Sequence, residues 1–166
     1  MHEPAAGTHA DASVGCSGRT RPPMGSEAVI LLTHAAATWF LVGLIWIVQV
    51  VHYPLFSLVG ADGYVAYQRS HMSRITWIVA PAMFVELFVA AAAVWVLGSA
   101  LSWIGAALLA GVWGSTFLLQ VPLHGRLIGG FDANAHRLLV MTNWLRTALW
   151  SARGGVALLM LGKISL

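Results

Sequence analysis

The sequence contains very little charge. Only 9% of its 166 residues are Asp, Glu, Lys or Arg, whereas 58% are hydrophobic; a soluble domain carries about 25% charged residues. This shortage argues against an ordinary soluble domain and favours a membrane protein. The net charge of +3 comes from scattered basic residues that form no exposed basic face, so we expect no nucleic-acid partner.

The sequence also lacks paired cysteines and a signal-peptide core. Cys16 is the one cysteine, which excludes an intrachain disulfide. Residues 1–26 are rich in Ala, Gly, Ser, Thr and Pro and contain no apolar core of the kind that a signal peptide needs. We therefore predict a disordered N-terminal extension over residues 1–26, and we hypothesise that translation starts at Met24.

Four long apolar segments fill the remaining domain, residues 27–166. They cover residues 28–52, 75–97, 100–122 and 136–162, and each exceeds the roughly 20 residues that a helix needs to cross a bilayer. Because backbone groups in lipid must hydrogen-bond within their own segment, these spans should be helical. The sequence predicts an all-α membrane protein with a bundle of four transmembrane helices, spans 1 to 4.

The connections between the spans place most polar residues on one side of the membrane. Gly98-Ser99 is too short for anything but an antiparallel hairpin of spans 2 and 3, so the two longer loops share the other face. Asp62 and Asp132 are candidate N-caps in these loops. Residues 62–74 are expected to form a short interfacial helix that runs into span 2, with one face carrying Tyr64, Tyr67, His71 and Arg74.

Two similar strings end spans 1 and 3. Gln49-Val-Val-His52 and Gln120-Val-Pro-Leu-His124 each lead to a Gly-x-Asp and then to a His and an Arg. Polar side chains at the end of a membrane span are costly and need a reason to be there. The recurrence suggests two tandem helical hairpins related by an axis along the membrane normal; chance similarity of two helix ends is the alternative.

Three charged side chains lie inside the predicted spans. Glu86 lies roughly 16 Å into span 2 at 1.5 Å per residue, where a carboxylate should be neutralised, paired or bound to a metal. Arg146 and Arg153 enter span 4 from the same side, and either could pair with it. A structural ion pair is one interpretation. The other is an acid/base site, with Glu86, His52, His124 and Arg146 as candidate catalytic residues.

Four histidines are predicted near the same mouth of the bundle. His52, His71, His124 and His136 are candidate ligands of a transition metal. No pair has the His-x-x-x-His or Glu-x-x-His spacing of a helical metal site, so such a site would be assembled across helices. Interfacial histidines that bond to loop carbonyls are the alternative. His34, toward the opposite end of span 1, could pair with a polar neighbour, could act with a second His as an axial haem ligand, or could be an ordinary buried histidine.

Neutral polar and aromatic residues complete the candidate site. Such side chains could bind a quinone, phenol or carbonyl oxygen, or they could join helices and anchor the interface. The candidate substrate-binding residues are Gln49, Tyr53, Tyr64, Tyr67, Gln120, Asn143 and Arg153.

Two stretches of the sequence carry a resemblance. The first runs from Val51 to Glu86, and the second runs from Gln120 through Gly-Phe-Asp132 to Arg153. Over residues 30–162, they resemble small four-helix bacterial membrane proteins of uncharacterised function. By way of those proteins, the sequence also resembles the anthrone-oxygenase-like family. That resemblance implies oxidation of an aromatic, polyketide-like phenol. It implies a helix-4 motif at His136, Asn143, Arg146 and Arg153.

A second pattern consists of His34, Trp39, Gly43-Leu44 and Val51-His52. It resembles the four-helix membrane type of protoporphyrinogen oxidase, which implies haem b. The cofactor therefore stays open between a transition metal, haem and none.

Several functions remain open at this point. The protein is expected to be an oxidoreductase or oxygenase acting on a lipophilic aromatic molecule, a haem- or metal-binding protein, a ligand-binding or transport subunit, or a scaffold. The loops beside the mouth hold most of the arginines, so the positive-inside rule places the mouth in the cytoplasm of a bacterial inner membrane. The expected partners are bilayer lipid and a lipophilic small molecule.

Overall fold

The computed structural model describes residues 24–163. These residues fold into four long helices and two short ones and contain no strand. The long helices are α1 (Met24–Ile47), α3 (Ala61–Leu97), α4 (Ala100–Ser115) and α6 (Ala133–Leu161). One π-helical turn (Val48–His52) joins α1 to α2 (Tyr53–Leu55), and another (Thr116–Gln120) joins α4 to α5 (Val121–Leu127); a 3₁₀ turn (Phe56–Leu58) follows α2.

Within residues 24–163, three helical units are long and apolar enough to cross a membrane. They are Gly25–Leu58, Ala61–Leu97 and Ala100–Leu127. Their outer surfaces carry large apolar side chains, including Trp95 at 90% exposure and Trp77 at 80%. Soluble monomers rarely present so much apolar surface to water. The protein is therefore an integral membrane protein with an all-helical fold, as the sequence predicts.

Two helix boundaries differ from the predicted ones. α1 begins at Met24, so residues 24–26, assigned to the extension, are helical; residues 1–23 of that extension lie outside the described residues. Residues 62–74 are helical and run into span 2, as predicted, but they do so without a break and are the first part of α3, which runs for 37 residues. No Gly or Pro between Gly63 and Pro81 interrupts it.

Of the two predicted N-caps, one is confirmed and one is wrong. Asp132 Oδ1 accepts the backbone N–H groups of Asn134 at 2.8 Å and Ala135 at 3.1 Å, which confirms it as the N-cap of α6. The prediction for Asp62 is wrong: Gly60 is the N-cap of α3, and Asp62 lies in its first turn.

The predicted hairpin between spans 2 and 3 is confirmed. Gly98 ends α3 with a φ of 55°, a left-handed conformation that glycine adopts without strain. The side chain of Ser99 accepts from the backbone N–H of Ser102 and thereby caps α4.

The two similar strings fold alike. Each overlaps a π-helical turn that is followed by a proline, Pro54 after Val48–His52 and Pro122 after Thr116–Gln120. Proline has no N–H to donate, and its ring crowds the carbonyl four residues earlier. A wider turn accommodates both defects. Tyr53 and His124, which follow these turns, are both buried in the bundle.

α6 is the helix most enclosed by the others. It packs along α1 and α4, whereas α3 packs chiefly on α1 and less extensively on α4. The main core cluster contains Leu41, Val42, Ile45, Met83, Ala90, Leu109, Val112 and Trp150. The looser contact between α3 and α4 leaves room for the cavity described below.

Candidate functional site

The deeper of two buried polar groups, which we call the ion-pair cluster, centres on Glu86 and Arg153. Arg153 Nε donates to Glu86 Oε1 at 2.6 Å, and Thr38 Oγ1 donates to the same oxygen at 2.5 Å. Arg153 also contacts His34 Nε2 at 3.0 Å through Nη2 and donates to the carbonyl of Gly105 through Nη1. These groups come from α1, α3, α4 and α6, so the cluster connects all four long helices.

The ion-pair cluster has the features of a structural element. Glu86 and Arg153 are both 0% exposed, and their charges cancel. Neither residue lines the cavity. Of the two predicted partners for Glu86, Arg153 is the one that pairs with it. Glu86 is a candidate catalytic residue and Arg153 is a candidate substrate-binding residue. In this geometry neither side chain contacts a ligand in the cavity.

The close approach of α4 to this cluster leads to a prediction. A Cβ atom at Gly105 would lie 3.3 Å from Arg153 Nη1, whereas one at Gly114 would meet nothing within 4 Å. We expect Gly105→Leu to lower the free energy of unfolding by about 1–3 kcal/mol through overpacking, and Gly114→Leu to leave it nearly unchanged. Unfolding in mixed micelles, followed by circular dichroism, measures both; equal losses would contradict the packing described here.

A cavity of about 300 Å³ lies between the four long helices, closer to the end where the two similar strings lie. Most of its wall is apolar and includes Leu41, Met83, Phe84, Trp113 and Trp150. Its polar end is formed by Tyr53, His71, Gln120, His124 and Arg146. A site with apolar walls and a few convergent polar groups is typical of small-molecule binding.

The cavity reaches the outer surface between α3 and α4–α5. Phe84, Phe117 and Val121 line it, and each of them is also about half exposed, at 49%, 57% and 48%. In a membrane-spanning bundle this surface faces lipid. A lipophilic molecule therefore has a route from the bilayer into the cavity.

Arg146 brings an unpaired charge to the polar end of the cavity. Its side chain is 8% exposed, and the only ion pairs among residues 24–163 join Glu86 to His34 and Arg153. Nη1 donates to Asn143 Oδ1 at 3.2 Å and the guanidinium also hydrogen-bonds to the Tyr53 side chain, whereas the buried Nε has no hydrogen-bond partner. Burying an unpaired cation costs several kcal/mol, on the order of 3–5. A guanidinium in this state favours a ligand that supplies negative charge.

Tyr53, His124 and Gln68 form a hydrogen-bonded chain beside Arg146. Tyr53 Oη lies 2.9 Å from His124 Nε2, and Gln68 Nε2 lies 2.9 Å from His124 Nδ1. An amide NH₂ only donates, so with the Gln68 amide in this orientation Nδ1 accepts and neutral His124 carries its proton on Nε2. In that tautomer His124 donates to Tyr53 Oη, and the Tyr53 hydroxyl proton is free to point toward a ligand.

Two predicted substrate-binding residues hold Arg146 instead of lining the cavity. Asn143 Nδ2 donates to Gln49 Oε1 at 2.8 Å, and Gln49 Nε2 donates to the carbonyl of Val140 at 3.2 Å. Asn143 Oδ1 is thereby fixed as an acceptor for Arg146. Gln120 does line the cavity: its Nε2 donates to Thr142 Oγ1 at 3.0 Å, and its buried Oε1 has no partner.

The four candidate metal ligands surround a phenyl ring. The Phe56 ring is fully buried, and its centroid lies 5.3 Å from that of His52, 5.0 Å from His71 and 6.3 Å from both His124 and His136. Within residues 24–163, no group of three or more His, Cys, Asp or Glu side chains is arranged to hold a metal ion. The histidines come together as predicted, but around Phe56.

The nitrogens of these histidines are largely engaged. His52 Nε2 lies 2.8 Å from His71 Nδ1, and His136 Nε2 lies 2.8 Å from the carbonyl of Tyr53. The contact of His136 matches the alternative interpretation of interfacial histidines that bond to loop carbonyls. A metal at this end would have to displace existing hydrogen bonds.

The remaining candidates, Tyr64 and Tyr67, lie behind the cavity wall. Tyr64 is 0% exposed and packs against Phe131 at 5.2 Å between ring centroids, and Tyr67 packs against Phe56 at 5.6 Å. Neither lines the cavity. Their contacts fit packing better than direct ligand binding.

Gln68 and Phe56 are site residues that sequence reasoning missed. Gln68 lies four residues after Tyr64 and three before His71, so helical spacing alone places it on the same face. Its side chain is fully buried. Phe56 gave no comparable pattern because an apolar residue in a loop after an apolar span is unremarkable in sequence.

Comparisons with protein-family models, with curated proteins and with solved structures find no match to this chain. The function therefore has to be argued from the cavity and the buried His, Glu and Arg side chains.

Proposed function

We propose that the cavity binds a lipophilic phenol and that the protein is a membrane oxidoreductase or oxygenase acting on it. The observation that carries the binding step is the unpaired, buried guanidinium of Arg146 at the end of an apolar cavity. Oxidation of the bound phenol is what the resemblance to the anthrone-oxygenase-like family adds.

The polar end suits an oxygen that becomes negatively charged. Arg146 and the free hydroxyl proton of Tyr53 would both donate to a phenolate oxygen, an arrangement that stabilises developing negative charge. The unpartnered Gln120 Oε1 can accept a hydrogen bond from a second hydroxyl of the same ligand. The aromatic walls at Trp113 and Trp150 would pack against its rings.

A phenol is oxidised more readily after its hydroxyl group has lost its proton. The role of Arg146 and Tyr53 is then to favour the phenolate, and that of Gln49 and Asn143 is to position the guanidinium. The haem alternative gains no support from His34, because its Nε2 contacts Arg153 outside the cavity.

A non-catalytic lipophile-binding or transport subunit is the second candidate. The opening of the cavity toward lipid between α3 and α4–α5 favours it, because a carrier needs exchange with the bilayer and no chemical step. Arg146 would hold the head group of the ligand in the same way.

The finer membrane topology also belongs to this proposal. α6 is the fourth span, since both of its buried arginines face inward and its exposed residues between Leu138 and Leu159 are apolar or Ala. The two π-helical turns before prolines support a tandem pair of hairpins. The mouth faces the cytoplasm of a bacterial inner membrane, where the positive-inside rule places its arginines.

Selective binding of a phenol tests the proposed site. We expect the full chain in detergent micelles to bind 1-naphthol at least about tenfold more tightly than 1-methoxynaphthalene, a difference of about 1.4 kcal/mol. The ether has the same rings but no ionisable oxygen. Quenching of the protein's tryptophan emission measures both affinities, and equal affinities would overturn the proposal of an acidic-oxygen site.

A further inference from the structure

A pair of histidines connects the cavity with the surface of the protein. His71 is 9% exposed and lines the cavity, and its Nδ1 lies 2.8 Å from Nε2 of His52. His52 is only half-buried. The other ring nitrogen of His71 makes no hydrogen bond within the described part of the chain. One end of this pair therefore meets the cavity and the other approaches solvent at the mouth.

The surroundings of the pair suit proton transfer. Titratable or charged groups around it include Tyr53 on α2, His124 on α5 and, on the same cavity wall, Arg146 on α6. The ring centroid of His71 lies 5.6 Å from that of His124 and 6.5 Å from that of Tyr53. No carboxylate of the described residues forms an ion pair with either histidine of the pair. A neutral imidazole there can accept a proton without having to break an ion pair.

We infer that His71 and His52 form a proton path that carries the hydroxyl proton of the bound phenol out to the membrane surface. This inference rests on the proposed function, because the proton comes from a ligand held by Arg146. Imidazole suits the task, since it gains and loses protons near neutral pH and has two nitrogens that work in sequence.

Each proton that moves along the path has a donor and an acceptor. The O–H bond of the phenol breaks, the oxygen keeps the electron pair beside Arg146, and the proton binds Nε2 of His71, directly or across one cavity water. The proton on Nδ1 of His71 then moves to Nε2 of His52. His52 releases its Nδ1 proton to bulk water, which leaves each ring with its proton on Nε2. Each ring returns to its starting tautomer by losing the Nε2 proton to water and taking up another at Nδ1 before the next phenol is deprotonated. No oxidant is consumed in these steps.

The rate of phenol deprotonation tests the path. The full chain in weakly buffered micelles is mixed rapidly with 1-naphthol, while the absorbance of bound naphtholate and of a pH dye in the solvent is followed. The wild-type protein should release about one proton for each naphthol bound. We expect His71→Phe to slow naphtholate formation and proton release at least tenfold, while equilibrium affinity changes less than twofold, because a path changes rates and leaves the end state alone.

A second variant and a matched control separate the path from a packing defect. His52→Ala, at the half-buried end, should slow release in the same way, and added imidazole should restore the rate. Tyr67→Phe, which alters a ring at the same mouth outside the path, should behave like wild type. Slow variants rescued by imidazole support the path. Wild-type rates in both His71→Phe and His52→Ala overturn the path alone, whereas a wild-type protein that binds no 1-naphthol overturns the proposed function together with it.

Discussion

Glu86→Gln should lower the free energy of unfolding by about 3–5 kcal/mol, the cost of leaving one member of a buried ion pair without its partner. Arg153 is fully buried, and Glu86 supplies the only carboxylate that pairs with it in the described part of the chain. The neutral amide would leave that guanidinium uncompensated in the middle of the bundle. Unfolding of the purified variant in mixed micelles measures the loss.

Removing the second charge should recover most of that loss. In Glu86→Gln/Arg153→Met no buried charge remains, and replacing a buried ion pair by apolar groups is often neutral. Asp62→Asn is the matched control, because it removes a carboxylate from an exposed position on the same helix. A Glu86→Gln protein as stable as wild type would contradict the structural role of the ion-pair cluster.

Arg146→Gln should have the opposite profile: a stable protein that binds phenols poorly. A hydrogen bond to a charged group contributes about 1.5–3 kcal/mol, so we expect the affinity for 1-naphthol to fall about 10- to 100-fold at 1.4 kcal/mol per factor of ten. Stability should be unchanged or higher, because the variant no longer buries an unpaired cation. Titration of tryptophan emission with 1-naphthol measures the affinity.

Two other arginines of α6 provide the controls for this variant. Arg137→Gln alters an exposed arginine and should leave both affinity and stability unchanged. Arg153→Gln should unfold readily, as Glu86→Gln does. If Arg146→Gln also unfolds while keeping its phenol affinity in the folded fraction, Arg146 is a packing residue and the site is elsewhere.

Composition and connectivity were enough to predict most of the fold. A long uncharged segment in lipid has to be a helix. The linker Gly98-Ser99 is so short that the two helices it joins have to be antiparallel. The start of α3 was harder to place, because Tyr64 to Arg74 are polar enough to be taken for a short interfacial helix that leads into the span. The helix continues through this segment because no helix-breaking residue interrupts it. The pattern of polar and apolar residues gives no information on that point.

The location of the site was more predictable than the roles of its residues. Similar Gln and His strings indicated one polar end of the bundle, and the π-helical turns before Pro54 and Pro122 explain how those strings turn inward. Partner choice between Arg146 and Arg153 was not predictable, because both recur on the same face of one helix. Only their depth relative to Glu86, set by the packing of α3 on α1, decides which one is neutralised and which one faces the cavity.

The position of a bound phenol is the most direct test of the central claim. Irradiation of the wild-type protein with an azide-bearing 1-naphthol, followed by peptide mass spectrometry, should give adducts at cavity residues such as Met83 and Trp113. Those adducts should disappear with excess 1-naphthol or in Arg146→Gln. Adducts confined to lipid-facing residues such as Phe88 and Trp95, and unaffected by either change, would contradict a ligand site at Arg146.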